Sequence, residues 1–216
     1  MTIRVWSLFY DWVLPDLKGS PATSLVDHAC REMSRAFCAN THAHKEDIPS
    51  INVVAGTANY AIVTSDPANL DVDRVLTAWY SGVEIEQKAT DDLVDLYGTR
   101  WQEKTGTPLY FTQIDSGSVI LVPAPDTSLT AGLKMSVSLM PTLAATGLAD
   151  VIFDNWIDDI AKGIKAKFML QDKKPWTNTE LGMAYMAAFD GTVDSVRMLA
   201  QKAFGRARVR TRSRFF

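Results

Sequence analysis

The chain has 216 residues, 47% hydrophobic and 22% charged, and a net charge of −3. That length makes one sizeable domain, or one domain with an insertion, whose core can form without staples. The composition is ordinary for a soluble globular protein and excludes one that grips DNA over its whole surface, which would be basic throughout. The charge is polarised. Residues 206–216 carry five arginines, which leaves −8 for residues 1–205. Such a division suits assembly in which the basic segment of one molecule meets an acidic surface on another.

Residues 2–14 hold Ile3, Val5, Trp6, Leu8, Phe9, Tyr10, Trp12, Val13 and Leu14. A stretch this apolar is expected as a strand or short helix docked against a core or a neighbouring subunit. Arg4, Asp11 and the lack of a small-residue cleavage site argue against a signal peptide. No run approaches the length of a membrane span, so no membrane partner is expected. Pro15 and Gly19 break the segment.

Ser20-Pro21 can open a helix. Leu25, Ala29, Met33 and Phe37 recur near helical spacing, broadened by Val26 and Cys30, and the helix fades near Asn40. Cys30 and Cys38 then sit ~12 Å apart along it, too far to bridge. Free, buried thiols and intracellular synthesis are the expectation.

From Pro49 to about Met140 the pattern turns to short β-type runs. The predicted strands are Ile51–Ala55, Tyr60–Thr64, Val72–Tyr80, Val83–Gln87, Leu109–Ile114, Val119–Val122 and Leu133–Leu139. In the last, Leu133, Met135, Val137 and Leu139 face one way and Lys134, Ser136 and Ser138 the other. Turn signals such as Ser81-Gly82 and Asp115-Ser116-Gly117 separate the runs. A short helix over Thr90–Tyr97 interrupts them, with Thr90 as its expected N-cap.

Beyond Leu148 the chain is helical again. Ile152, Trp156, Ile157, Ile160, Ile164 and Phe168 form an apolar stripe, with Lys162, Lys165 and Lys167 toward the C-terminal end. Thr177-x-x-Glu180 reads as a capping box. It opens a helix through Leu181, Tyr185, Phe189, Val193, Val196, Leu199 and Phe204, closed by Gly205.

Catalytic signatures are missing from the sequence: it contains no G-x-S-x-G, P-loop, dinucleotide-binding or H-E-x-x-H motif. His42, His44, Glu46 and Asp47, with His28, read as loop and helix residues rather than metal ligands. Asp150, Asp154, Asp158 and Asp159 share the first turns of a helix, which favour acids without any metal. Trp79, Tyr80, Tyr97 and Trp101 read as core aromatics ahead of a sugar platform, and Trp176 as an anchor between helices. No enzyme, cofactor or metal is expected.

Residues 206–216 read R-A-R-V-R-T-R-S-R-F-F. Only an extended strand places Arg206, Arg208, Arg210, Arg212 and Arg214 on one face. The other face carries Ala207, Val209, Thr211, Ser213 and Phe215, and Phe216 follows. The expectation is an arm that orders when a partner supplies acceptors and a neighbouring strand.

The order of these pieces resembles the head-to-tail adaptor (connector) proteins of short-tailed and related tailed bacteriophages. The resemblance runs over roughly residues 20–205. Its carriers are the helix around Leu25–Phe37, Ile48-Pro49-Ser50, residues Val72 to Gly82, Gly106 to Tyr110, Ile120 to Pro125, Ile160 to Gly163 and Lys174 to Asn178. It implies a homo-oligomeric ring, usually a dodecamer, coaxial with a portal protein. Tail nozzle or tail-fibre proteins would attach to it, and genomic DNA would pass through its channel without sequence-specific binding. It further implies that the C-terminal segment reaches the portal, which makes Arg206, Arg208, Val209, Arg210, Arg212, Arg214, Phe215 and Phe216 the expected portal-binding residues. A tail terminator or tube component, or a nucleic-acid-binding protein using the arm, are the alternatives.

The expected fold is α+β: a helical bundle with an inserted antiparallel β-sandwich or barrel and an extended arm. The expected boundaries are 1–47, 48–147, 148–205 and 206–216.

Overall fold

The computed structural model describes residues 2–201. Two compact units form. One is the continuous stretch His44–Ala145, and the other joins Thr2–Ala43 to the residues from Thr146 onward. In chain order, β1 (Ile3–Val5), a 3₁₀ turn (Trp6–Phe9), α1 (Tyr10–Val13), a second 3₁₀ turn (Leu14–Asp16) and α2 (Thr23–Thr41) come first. Then follow β2 (Lys45–Val53), β3 (Asn59–Ala61), β4 (Leu70–Tyr80), β5 (Val83–Gln87), α3 (Thr90–Tyr97) and β6 (Thr105–Gly106). Next are β7 (Tyr110–Thr112), β8 (Ser118–Val122), β9 (Ala124–Pro125) and β10 (Leu129–Pro141). Last come β11 (Gly147–Ala149), α4 (Asp150–Met169) and α5 (Thr179–Gln201).

In the helical unit, α2 buries Val26, Ala29, Cys30, Met33 and Phe37, but Leu25 is half exposed. The reason is geometric. Steps of four residues drift by ~40° around a helix, so the first member of the run leaves the face its last member defines. The helix begins at Thr23 with Ala22 at its N-cap and no side-chain cap bond, so Ser20 does not serve as one. His42 closes it in the left-handed region, φ 51°, its N–H donating to the Cys38 carbonyl.

Along α4 the expected stripe is buried at Ile152, Trp156, Ile160, Ile164 and Phe168, with a break in helical geometry at Trp156 (φ −136°, ψ 20°). Phe37 meets Trp156 at 5.6 Å and Phe189 of α5 at 6.3 Å, ring centre to centre. Gly163 lets three helices close on one point: a Cβ there would stand 2.7 Å from Met33 Cε and 2.9 Å from Phe189 Cδ2. The capping box at Thr177 does not form. Thr177 Oγ1 donates to the Gln171 carbonyl, and Asn178 Oδ1 instead accepts from Leu181 N–H. On α5, Phe189, Val193 and Val196 are buried while Leu181 and Leu199 are not. Phe204 and Gly205 lie outside the described residues. Trp176 does anchor one junction, edge-on to Phe168 and donating through Nε1 to Gln171 Oε1.

Lys165 lies toward the C-terminal end of α4, as expected, but does not face solvent. It is buried, 2.5 Å from Asp16 Oδ2, with its ammonium above the Tyr185 ring and the Tyr185 hydroxyl donating to the same carboxylate. The Lys165 hydrogen bond is the chief reason the Asp16 carboxyl is held below its ordinary value. A lowered carboxylate stabilises the fold above the ordinary carboxylate range and loses that contribution as pH falls through the lowered value. Asp16 keeps 44% of its side-chain surface, and solvent screening limits the pair to ~1 kcal/mol. Wild type is therefore expected to lose ~1 kcal/mol relative to Lys165→Met on acidification below about pH 4. Urea denaturation of both proteins across pH checks it.

The β unit is one seven-stranded sheet in the order β2-β10-β4-β5-β7-β8-β3. Its first and last strands are neighbours in the chain, joined only by residues 54–58. A sheet whose two edges are tied by so short a turn has to curl until they meet again, so the expected sandwich or barrel takes the form of an open barrel. Strands β4 and β5 make a hairpin through Ser81 and Gly82, whose φ values of 50° and 80° suit a two-residue turn. Not every pair is antiparallel. Helix α3 lies in the crossover between β5 and β7, which pair in parallel, as do β6 and β9. Thr90 opens α3 as its first helical residue, with Ala89 at the N-cap and no side-chain cap bond.

Strand β10 is the spine, paired with β2 on one side and β4 on the other. Leu133, Met135, Val137 and Leu139 are fully buried, as the alternation predicts, and Lys134 is exposed. Ser138 is also buried, where register shifts against β4 on either side of it disturb the simple alternation.

Candidate functional site

The eight expected portal-binding residues, Arg206, Arg208, Val209, Arg210, Arg212, Arg214, Phe215 and Phe216, lie outside the described residues. What the described residues do supply is a charge map and an acceptor surface. Thirteen Asp and Glu against six Lys and Arg give His44–Ala145 a balance of −7. The rest of residues 1–205 has twelve against eleven. The acidic excess therefore belongs to the β unit.

That unit has one conspicuous discontinuity. The barrel edges β2 and β3 do not pair with each other. Between them runs an apolar groove of about 430 Å³, lined by Glu46, Ile48, Pro49 and Ile51 on one wall and Ala61, Val63, Thr64 and Ser65 on the other. Its ends are fastened by side chains. At one end Ser65 donates through its N–H and its hydroxyl to the Glu46 carboxylate, both at 3.1 Å. At the other, the Tyr60 hydroxyl donates to the Thr57 carbonyl and accepts from Val54 N–H.

Two local facts keep the middle open. Pro49 has no N–H, so β2 lacks a donor there. On β3, the Leu121 N–H donates to the Ala58 carbonyl and the Ile62 N–H to the Gly117 carbonyl, both toward β8. Alternation along the strand then turns the N–H and C=O groups of Ala61 and Val63 to the other side, into the groove. The Val63 side chain is 64% exposed.

Residues weighed for chemistry are occupied elsewhere. Asp154 faces Arg4 at 3.5 Å, while Asp158 and Asp159 hold Lys162 at 2.8 and 3.0 Å. Those two carboxylates push the Lys162 ammonium's pKa up, chiefly by hydrogen bonding. His28 sits 3.2 Å from Glu32, His44 is buried, Glu46 serves Ser65, and Asp47 faces Lys134 at 4.0 Å. Among the described residues no group of three or more His, Cys, Asp or Glu is placed to hold a metal. Burial pushes the Cys30 thiol up to about 12, which leaves little thiolate at neutral pH. Both cysteines are free and buried, as their spacing predicts.

The aromatic group does not converge. Trp101 and Tyr97 pack with Leu93 and Val122 in a small core under α3. Tyr80 lies in the main β core. Trp79 carries the Lys134 ammonium 5.9 Å from its ring centre. No sugar-stacking platform results from these four.

The groove is the feature sequence reasoning missed. No local signal marked it, because Pro49 reads in the sequence as the boundary at which the β-type runs begin.

Compared with known protein families, the chain matches the one described as SU10 adaptor protein over residues 9–213. No curated protein matches it.

Proposed function

The chain belongs to the SU10 adaptor protein family, and we propose that it is a structural virion protein that joins head to tail. Copies form a ring, expected to be a dodecamer, that docks on the portal protein and carries the tail nozzle or tail-fibre proteins. Genomic DNA passes through the ring. Residues 206–216 make the portal contact, as an extended strand added to a partner's sheet edge or laid in a groove between subunits. The observation that carries this reading is the family match, which spans both units and most of the arginine-rich segment.

Two properties of the chain support it. Exposed Leu181, Met183, Met198 and Leu199 give α5 apolar surface for association with other copies. An acidic β unit, with the rest of residues 1–205 nearly neutral, suits a conduit along which DNA slides without being held.

Electron microscopy of purified particles, and of the protein mixed with portal, tests the proposal. A ring coaxial with the portal and touching it is expected. A ring at another level of the virion, with no portal contact, would instead make the protein a tail terminator or tube component.

A further inference from the structure

We infer that, in copies not engaged with portal, the open seam between β2 and β3 receives residues 206–216 of a second copy of this chain as an added strand. This rests on the reading of those residues as an extended partner-seeking arm, but not on the portal being their partner.

Four observations converge on that occupant. First, the seam has unpaired backbone along β3 and an apolar floor, the two requirements for strand addition. Second, the arm alternates with period 2, so an added strand would turn Ala207, Val209, Thr211, Ser213 and Phe215 inward. The first four are small or β-branched, and all five arginines then face out. Third, charge selects the guest: an arm with five arginines meets a unit whose balance is −7. Identical acidic units repel when a ring brings them together, and an arm shared between neighbours offsets that repulsion. Fourth, the linker selects a neighbour in contact. With residues 206–216 seated in the seam, the four residues 202–205 link them to α5. Extended, those four span ~14 Å, so the host is an adjacent copy.

Cysteine pairing in the full chain tests it, because both native thiols are buried. Val63 lies on the outward face of its strand, between buried Ile62 and Thr64, so its partner on an added strand is one of the outward arginines. One preparation carries Val63→Cys and the other Arg210→Cys. They are mixed without portal and oxidised mildly, and linked peptides are identified by mass. Val83→Cys, at a 68% exposed position on β5, replaces Val63→Cys in the control. About tenfold more 63–210 linkage than 83–210 linkage is expected, since docking raises the effective concentration of the two thiols. Equal linkage in the two mixtures overturns the proposal. So does linkage confined to a chain carrying both Val63→Cys and Arg210→Cys, which would put the arm in its own seam.

Portal capture is measured separately on the full chain without these substitutions. Absent seam cross-linking with intact portal capture defeats the seam alone. Intact cross-linking with no portal capture by the wild-type chain defeats the portal reading alone.

Discussion

Deleting residues 206–216 is expected to lower retention on immobilised portal by about a hundredfold or more, while the protein stays folded. The two parts have separate causes. The cores described for both units draw on residues 2–201, so thermal unfolding should be unchanged. Binding depends on the arm in a way that single contacts do not suggest. An exposed arginine–carboxylate pair contributes only ~0.2–1 kcal/mol, and burying a phenylalanine ~1.5–3 kcal/mol. One arm is therefore a weak ligand, and a ring that offers many at once is a strong one. Replacing Phe215 and Phe216 by alanine should take a large share of the loss, and replacing the five arginines by lysine a smaller one. Lysine keeps the charge but gives up the bidentate fork. Surface plasmon resonance on portal rings measures all three. A truncated protein that binds portal as well as the full chain removes the arm from the mechanism.

Phe37→Ala is expected to destabilise the helical unit by ~3–5 kcal/mol, a large part of the ~5–15 kcal/mol a domain holds. Phe37 has no exposed surface and lies between Trp156, at the break in α4, and Phe189 of α5. Removing the ring leaves a void between Trp156 and Phe189. Little can collapse into it, because the neighbours are themselves rings fixed by packing. Urea unfolding followed by tryptophan fluorescence would report the loss directly, since Trp156 borders the cavity. Phe37→Leu should recover more than half of it. A loss under ~1 kcal/mol for the alanine variant would mean that these three rings are not the unit's centre.

Much of the architecture was legible in the sequence because hydrophobic period is a strong local signal. The spacing of Ile152, Ile160 and Phe168 placed α4, and the alternation of Leu133 to Leu139 placed β10, on faces that are buried. The α+β class, with a β region inserted between helices, followed from the change of period alone. Local capping was less legible. Thr177 satisfies a pattern for an N-cap, yet its hydroxyl is taken by the Gln171 carbonyl, and Asn178 caps instead. Leu25 was misplaced because steps of four residues drift around a helix. The burial of Lys165 has a tertiary cause that helical spacing does not carry, its partner Asp16 from a distant turn.

Strand partnership was the least legible part. Nothing local in β2 says that it pairs with β10 rather than with β3 five residues on, because that choice is made by the whole sheet. The seam is a consequence of that choice, and so it was invisible to a reading along the chain.

The pairing of β2 with β10 also sets a timetable. The strand partner of the first barrel strand does not begin until residue 129 has been synthesised. Likewise α2 must wait with its apolar stripe uncovered for α4 and α5, more than a hundred residues later. Contacts this distant in the chain slow folding. On the ribosome each newborn copy would carry a greasy helix and an unmatched ribbon for most of its synthesis, at the moment when sister copies are being made nearby. Slower translation or a holding chaperone should raise the yield of soluble protein more than lower temperature alone.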